Sequence, residues 1–359
     1  MPAGPSLTVS APGRICLFGD HQDFLGLAVI AAAMDRRIRI TGQPNATPTF
    51  TIALPDIGGE DAFELSGEIP YRSPRDYLRS VPNVLYRSGL RWPTAYDCII
   101  RGNIPINAGC SSSSAMVIAW TRFLMAAADP DTVPDQLEIA RIGHGAEVLE
   151  FKEPGGMMDH YTSSLGKLVY LDCGPEIVVE QMDAVLDGFV LGDSLEPKDT
   201  MGVLKQSKED ALLGLELMEE KVGGFLFRTT PLEDVVDILS DLPDRAARKV
   251  YANLVNWEIT GKAKVLLTSG SFEPSDLGTL IDRHHEMLRD GIGVSTPKID
   301  RMIEAAKAAG ALGAKVNGSG GGGCMIAYAP DCEEAVVEAI NSAGGNASAV
   351  IVDEGARLE

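Results

Sequence analysis

The order of apolar and polar positions along the chain predicts strands in its first third. Short apolar runs that alternate with polar residues and end at turn residues are typical of strands. Such runs lie at residues 6–19, 35–42, 49–54 and 96–102. Longer segments of helical pattern lie at residues 74–89, directly after the serines at 111–114, and at 134–151. We expect the serines to cap the second of these helices at its N-terminus.

The pattern changes near residue 185. Helical patterns dominate from about 199 to 290, with breaks at 229–234, 242–244 and 269–274. Further along we expect a helix at 297–309, strands at 311–316 and 324–329, a helix at 333–343 and a strand at 347–353. Because 359 residues exceed one average core, we predict an α+β protein with two domains, at residues 1–185 and 186–359.

Composition and charge exclude several classes of function. The chain has 51 acidic against 31 basic residues, a net charge of −20, which argues against nucleic acid and anionic membrane as partners. The six cysteines are scattered without a CxxC pair, which favours reduced thiols over a disulfide framework. The first ten residues lack the features of a signal peptide, so we expect a cytoplasmic protein. We also expect a monomer or a homodimer.

A glycine-rich segment, "GSGGGG" at 318–323, lies between a predicted strand and the apolar run that follows it. Glycine costs backbone entropy, so five glycines in six positions need a reason. A flexible linker lacks flanking structure, whereas this segment is flanked by predicted elements on both sides. We therefore interpret it as a rigid loop whose backbone approaches something closely.

A second cluster, "PINAGCSSSSA" at 105–115, places a glycine and four hydroxyls before a helix. A helix N-terminus offers free N–H groups to an anion, although a serine run alone is more often a simple cap. The chain has no GxxxxGK[ST], HRD or DFG motif, which excludes a Walker-type loop and a protein kinase.

A third cluster, "APGRICLFGDHQDFLG" at 11–26, places Arg14 on a strand that runs into Asp20, His21 and Asp23. A polar turn after a buried strand would explain the glycines but not this density of charged groups. No HExxH spacing accompanies the adjacent His284 and His285, so we do not expect zinc.

In their order and spacing the three clusters resemble the motifs of the GHMP kinases, named for galactokinase, homoserine kinase, mevalonate kinase and phosphomevalonate kinase. The resemblance spans nearly the whole chain. It implies an N-terminal mixed α/β domain with a left-handed βαβ-type phosphate-loop unit and a C-terminal ferredoxin-like domain. It also implies that the glycine-rich loop packs against the phosphate loop.

Within the family the motifs are most similar to those of galactokinase-type sugar kinases. "PGGMMDHYTSSLG" at 154–166 resembles the element that carries the catalytic base, and "GDHQDF" at 19–24 resembles the element that contacts sugar hydroxyls. The run "GSGGGGC" is closer to mevalonate kinases. The tyrosine element that galactokinases place against galactose has no counterpart.

The resemblance assigns roles to individual residues. It implies Asp159 and Arg14 as catalytic residues, Asp20, His21 and Asp23 as substrate-binding residues, and Ser112 and Glu147 as Mg²⁺ ligands. Hydroxyl and carboxylate oxygens are normal ligands of Mg²⁺, and phosphoryl transfer needs a group that accepts the hydroxyl proton. The residues implied in ATP binding are Gly109, Ser111, Ser112, Ser113, Ser114, Gly318, Gly320 and Gly321.

The resulting prediction is an ATP-dependent, Mg²⁺-dependent kinase that phosphorylates a small polyhydroxylated substrate, a monosaccharide, at its anomeric hydroxyl. One alternative is a mevalonate-type kinase acting on an isoprenoid alcohol. Another is a sugar- and ATP-binding sensor that does not turn over, which the presence of Arg14, Glu147 and Asp159 weakens.

Overall fold

A long antiparallel strand pair forms the centre of the first of two β-sheets. The computed structural model describes residues 5–131, 133–197 and 200–359. β1 pairs with β2 from Leu7 opposite Gly42 to Phe18 opposite Ile30. The strands of this sheet within the described residues are β1 (Leu7–Phe18), β2 (Ala28–Pro44), β3 (Thr49–Leu54), β4 (Gly59–Glu64), β5 (Tyr96–Gly102), β6 (Leu168–Asp172), β7 (Val178–Met182) and β12 (Arg357–Leu358).

The sheet follows the order β12-β1-β2-β5-β3-β4, and β6 and β7 extend it beside the first half of β2. The predicted strands at 6–19, 49–54 and 96–102 are confirmed. The strand predicted at 35–42 is only the second half of β2, because the buried run at 28–34 also belongs to it. That run is rich in alanine, which has a low strand propensity. β4 was not predicted, since its pattern is mostly polar and only Phe63 is buried.

Of the four helices that the structure describes in this part of the chain, the second and fourth pack directly on the sheet and the first and third pack on other helices. Helix α2 lies across the sheet and buries Trp120 and Phe123, which contact Phe50 of β3 and Tyr96 of β5. The predicted helices are confirmed in place, with α3 continuing into a π-helical turn at Gly145–Leu149. The bounds are α1 (Tyr77–Arg87), α2 (Ser112–Ala128), α3 (Gln136–His144) and α4 (Met158–Leu165).

The second sheet is antiparallel, with the order β11-β8-β10-β9. Its strands are β8 (Phe189–Asp193), β9 (Gly313–Val316), β10 (Cys324–Tyr328) and β11 (Asn346–Val350). The helices of this part are α5 (Thr200–Val222), α6 (Asp244–Thr268), α7 (Pro274–Glu286), α8 (Pro297–Ala308) and α9 (Glu333–Ser342). The break at 269–274 and the alternating C-terminal elements are where the sequence predicts them, although the start of the helical stretch at 199 lies outside the described residues. The breaks predicted at 229–234 and 242–244 are not separate, because residues 223–243 form one segment that contains two 3₁₀ turns and no α-helix.

The chain passes from the first sheet to the second between β7 and β8. The chain then returns to the first sheet at its end, where β12 pairs with β1 through Val9 and Leu358. The domain boundary at 185 lies within the connection between β7 and β8 and stays a prediction. In the described part of the chain no helix is long and apolar enough to cross a membrane.

Candidate active site

The loop between β5 and α2 ends in the helix N-terminus that the sequence singled out. Ser111 has a left-handed backbone with φ of 59°, and α2 begins at Ser112. The expected cap is wrong in detail, because the Ser111 side chain makes no capping hydrogen bond. Its hydroxyl is buried without a partner among the described residues. The first-turn N–H groups of α2 have no partner within the helix, so this loop can bind an anion.

The glycine-rich loop packs directly on this phosphate loop. A Cβ at Gly318 would lie 2.6 Å from the carbonyl oxygen of Gly109, and one at Gly323 would lie 2.6 Å from that of Ala108. Both glycines have positive φ, and the Cys324 N–H donates to the Ala108 carbonyl at 2.7 Å. A side chain at either position would push the two loops apart. The rigid-loop interpretation is therefore correct.

Two residues that sequence reasoning missed hold the glycine-rich loop in place. Lys315 of β9 is fully buried, and its Nζ lies 2.6 Å from Asp20 Oδ2. Asn317 accepts from the Cys16 N–H at 2.8 Å and donates to the Gly109 carbonyl at 2.9 Å. Asp20 accepts from the Gly318 N–H at 2.7 Å through its other oxygen. Asp20 thus joins the first motif to the loop, and its contact with a substrate stays a prediction.

The Arg14 guanidinium lies between the phosphate loop and Asp159. Its Nε donates to Asp159 Oδ1 at 2.8 Å, and its Nη1 donates to the Gly109 carbonyl at 2.5 Å. Burial lowers the pKa of Arg14, but Asp159 and the other nearby acidic groups together outweigh burial, so the net pKa is raised. Among the described residues, none donates a hydrogen bond to Asp159 Oδ2. Asp159 lies in the first turn of α4, where the helix dipole favours its negative charge.

Glu147 lies on the π-helical turn after α3, and its carboxylate is buried beside His160. The two side chains meet with Nε2 of His160 at 2.8 Å from Oε2 of Glu147. Burial would raise the pKa of Glu147, but His160 and the hydroxyls of Ser113 and Ser114 together lower it below its ordinary value. His160 follows Asp159 directly on α4, so one helix carries Asp159 and also positions Glu147. Sequence reasoning missed His160, which lies 13 residues from Glu147.

Asp23 connects the first motif to the start of α4. Its Oδ1 accepts from the Phe24 N–H at 2.9 Å, and its Oδ2 accepts from the Met158 N–H at 3.4 Å. Burial and the nearby Asp159 carboxylate raise the pKa of Asp23. A Cβ at Gly156 would overlap the Asp23 carboxylate, which explains glycine there. His21, with φ of 64°, contacts the Ser319 carbonyl at 3.1 Å.

The structure brings most of the predicted residues to one pocket. Arg75, which precedes α1, also lines the pocket and forms an ion pair with Glu153 at 2.9 Å. Nothing in the sequence indicated this pair. Gly320 and Gly321 do not line the pocket but face Val294 and Val203, so their contact with ATP stays a prediction. The predicted residues on the pocket wall are Arg14, Asp20, His21, Asp23, Gly109, Ser111, Ser112, Ser113, Ser114, Glu147, Asp159 and Gly318.

This pocket joins a helix N-terminus suited to phosphate, a buried carboxylate beside hydroxyls, and an arginine-paired aspartate. Those are the parts of a small-molecule phosphotransferase. Three family descriptions match the chain: "GHMP kinases N terminal domain" at residues 77–167, "GHMP kinases C terminal" at 271–346, and "Galactokinase galactose-binding signature" at 2–44. The protein belongs to the GHMP kinase family and has its fold and its class of activity, ATP-dependent phosphoryl transfer.

Relatives of two kinds are similar to the chain over most of its length. Mevalonate kinase of Pyrococcus abyssi is 29% identical over 361 residues, covering 98% of this chain and 97% of that enzyme. Galactokinase of Pasteurella multocida is 27% identical over 339 residues, covering 91% and 86%. Among solved structures, Lactococcus lactis galactokinase complexed with galactose has a TM-score of 0.84 at 20% identity, covering 99% of this chain and 95% of that one.

Proposed function

We propose that the protein transfers the γ-phosphoryl group of ATP to the anomeric hydroxyl of a monosaccharide. The observation that carries this proposal is that two acidic side chains, Asp23 and Asp159, line the same part of the pocket. We call this part, where the acceptor would bind, the acceptor end. The Asp159 carboxylate lies close enough to Asp23 to help raise the pKa of Asp23, and Asp23 accepts from the Met158 N–H, directly beside Asp159 at the start of α4. The match to the galactose-binding signature covers the segment that contains Asp23.

The proposed chemistry uses the two sides of the Arg14–Asp159 pair. Asp159 Oδ1 is held by Arg14, while Oδ2 is the oxygen that accepts the proton of the attacking hydroxyl. Arg14 also binds the Gly109 carbonyl, so it fixes the aspartate relative to the phosphate loop. The first turn of α2 and the Ser111 hydroxyl bind the phosphate oxygens through donors that are already in place.

Glu147 and Ser112 fit a magnesium ion. A buried carboxylate whose pKa is lowered stays ionised at neutral pH, and a serine hydroxyl lies on the same pocket wall. Hydroxyl and carboxylate oxygens are the ligands that Mg²⁺ takes beside substrate phosphates. When bound there, the ion would neutralise charge on the β- and γ-phosphates of ATP. The hydrogen bond from His160 fixes the orientation of the Glu147 carboxylate.

The charge of the acceptor end favours a neutral, hydroxyl-rich substrate. A carboxylate oxygen accepts hydrogen bonds from hydroxyl groups, and two carboxylates suit vicinal hydroxyls. Burial and, after it, the Asp159 carboxylate raise the pKa of Asp23, so a further negative charge at this end of the pocket would be unfavourable. An acceptor with its own carboxylate, such as mevalonate, would add a further negative charge to it.

The second candidate is a mevalonate-type kinase, because the relative from Pyrococcus abyssi is 29% identical over nearly its whole length. One experiment separates the two. ADP release is measured with ATP and Mg²⁺ over a panel of neutral monosaccharides, sugar acids and mevalonate, followed by NMR of the phosphorylated product. We expect turnover of a neutral sugar with phosphate on the anomeric carbon. Preferential turnover of mevalonate would replace the sugar assignment.

A further inference from the structure

A second cleft, separate from the active-site pocket, collects positive charge in a strongly acidic protein. It lies between α5, α6 and the π-helical turn Met287–Ile292 that follows α7. Four cationic side chains line it, although the chain as a whole carries −20. These residues are Arg245, Arg248, Lys249 and Arg289, and the cleft is also lined by Asp210 and Asp290. The three arginines each form an ion pair with a nearby aspartate, and Lys249 is the cation of the cleft for which the described residues supply no carboxylate partner.

Lys249 is the residue that marks the cleft as a site. Lys249 is only 7% exposed. Its Nζ donates to the Ile292 carbonyl at 2.5 Å and to the Ser207 hydroxyl at 3.4 Å. Among the described residues no carboxylate lies within ion-pair distance of Nζ. A buried ammonium is costly unless an opposite charge compensates it, and burial lowers the pKa of Lys249 to about 8. An anion in the cleft would supply the missing charge.

The arginines around Lys249 are suited to bind the outer oxygens of such an anion. Arg245 forms an ion pair with Asp210 at 2.6 Å, which joins α6 to α5 across the cleft. Arg289 forms an ion pair with Asp290 at 2.7 Å. Each guanidinium carries five N–H donors, so a single carboxylate leaves others available. Planar guanidinium groups bind phosphate oxygens in a bidentate way.

The walls of this cleft are also walls of the active site. Val294 accepts from the Gly321 N–H at 2.7 Å, and the Val203 side chain would meet a Cβ at Gly321. Leu204, the next residue of α5, lines the active-site pocket. One turn later, the Lys208 ammonium lies 5.5 Å from the ring of Phe24, which lines the same pocket. The first half of α5 thus has one face toward each site.

We propose that this cleft is a second anion site for a phosphate-bearing small molecule, and that its occupancy alters the glycine-rich loop and α5 at the active site. The ligand closes the gap between α5, α6 and the turn at 287–292 by neutralising Lys249 and the arginines. Val203 and Val294 belong to the walls of the cleft and contact the glycine-rich loop. A shift of either wall would therefore change how that loop packs on the phosphate loop.

Binding is tested first without an acceptor, so that its failure is distinct from failure of the proposed function. The full chain is saturated with Mg·ADP to fill the phosphate loop and is then titrated by calorimetry with pyrophosphate, inorganic phosphate and glycerol 3-phosphate. We expect one saturable site. A higher affinity for glycerol 3-phosphate than for inorganic phosphate assigns the site to phosphate esters, and the reverse order assigns it to the free ion. Absence of binding to all three overturns the proposal.

The matched variants are Lys249→Met and Lys262→Met, which remove the same charge from the same helix. Lys262 is exposed and pairs with Glu258 at 3.5 Å, outside the cleft. We expect Lys249→Met to weaken binding by about 10- to 100-fold, the range for losing one charge-assisted hydrogen bond, and Lys262→Met to leave it unchanged. Equal affinity in both variants overturns the site.

If Lys249→Met does not fold, Arg289→Gln serves instead, because its side chain is 43% exposed. We expect a several-fold loss of affinity from it, and no loss would overturn the site. The regulatory part is tested by turnover of the acceptor found above: a saturating probe should change kcat/KM in the parent and not in Lys249→Met. Binding without any change in kcat/KM overturns that part.

Discussion

Lys315 and Asp20 form a fully buried ion pair, with Nζ 2.6 Å from Oδ2. The second carboxylate oxygen of Asp20 accepts a hydrogen bond from the Gly318 N–H at 2.7 Å. The pair joins the strand that enters the glycine-rich loop to the end of β1. Lys315 also donates to the Cys16 carbonyl at 2.8 Å. The position of the glycine-rich loop over the phosphate loop therefore depends on one buried ion pair between the first and third motifs.

The first prediction is that Lys315→Met strongly destabilises the protein. Removing one partner of a buried pair leaves the other charge uncompensated, at a cost of about 3–5 kcal/mol. Urea unfolding followed by circular dichroism measures the free energy of unfolding. Lys307→Met is the matched control, because its ammonium is half-exposed and pairs with Asp282 at the surface. A loss as small as that of the control would show that the pair contributes little.

The second prediction concerns acid stability. Burial raises the pKa of Asp20, but the charge and hydrogen bond of Lys315, together with other nearby groups, lower the pKa below the ordinary 3.8. The folded state therefore holds the ionised form more strongly than the unfolded state does. This contribution is complete above pH 3.8 and is lost as the pH falls through the folded-state pKa. Without Lys315 the burial effect dominates, so acid unfolding of Lys315→Met should begin at a higher pH than in the parent.

Circular dichroism recorded between pH 7 and pH 2 tests this shift. Lys307→Met should retain the acid unfolding profile of the parent. Superimposable acid limbs for the parent and Lys315→Met, after correction for their difference at pH 7, would contradict the linkage.

The third prediction is that Asp159→Asn keeps both substrates bound and lowers kcat by about 10²–10⁴-fold, because the amide cannot accept a proton. Steady-state kinetics and calorimetric binding of ATP measure the two effects separately. Asp172→Asn is the matched control, since Asp172 also pairs with an arginine, Arg228 at 2.7 Å, but lies outside the pocket. Nearly normal kcat in Asp159→Asn would mean that this aspartate only positions the substrate.

The sequence predicts the motifs well and their connections poorly. The strand, helix and loop order around the phosphate loop follows from local patterns, and the positive φ values of Gly318 and Gly323 agree with the close packing expected there. Lys315 and His160 were missed because their roles depend on partners that are distant along the chain. Asp20 is 295 residues from Lys315, and Glu147 is 13 residues from His160. An isolated lysine in an apolar strand is a weak signal, although a fully buried one has to find a carboxylate.

The fourth prediction is that Glu147→Gln raises the Mg²⁺ concentration needed for half-maximal activity. The amide loses the negative charge that binds the ion, and Ser112→Ala removes a weaker ligand and should have a smaller effect in the same direction. Glu153→Gln is the matched control, because Glu153 lines the same pocket but pairs with Arg75. Identical Mg²⁺ titrations for the parent, Glu147→Gln and Ser112→Ala would remove both residues from the metal site.

The last prediction addresses the acceptor. Asp23 is held by the Phe24 and Met158 N–H groups, so its remaining accepting capacity is oriented toward the pocket beside Asp159. A site built to hydrogen-bond substrate hydroxyls rejects analogues that lack them, because its buried polar groups are left unpaired. Asp23→Ala should therefore reduce kcat/KM for the sugar by about 10²-fold or more, with little change in the KM for ATP.

Deoxy-sugars identify the hydroxyl that Asp23 contacts. The sugar that lacks this hydroxyl should be a poor substrate for the parent, and Asp23→Ala should cost it much less than it costs the complete sugar. This non-additivity is the signature of a direct contact, since two independent changes would multiply. Asp35→Ala, a surface carboxylate paired with Arg36, should leave every ratio unchanged. Equal losses for ATP and sugar in Asp23→Ala, or equal losses for all deoxy-sugars, would show that Asp23 supports the start of α4 and does not touch the acceptor.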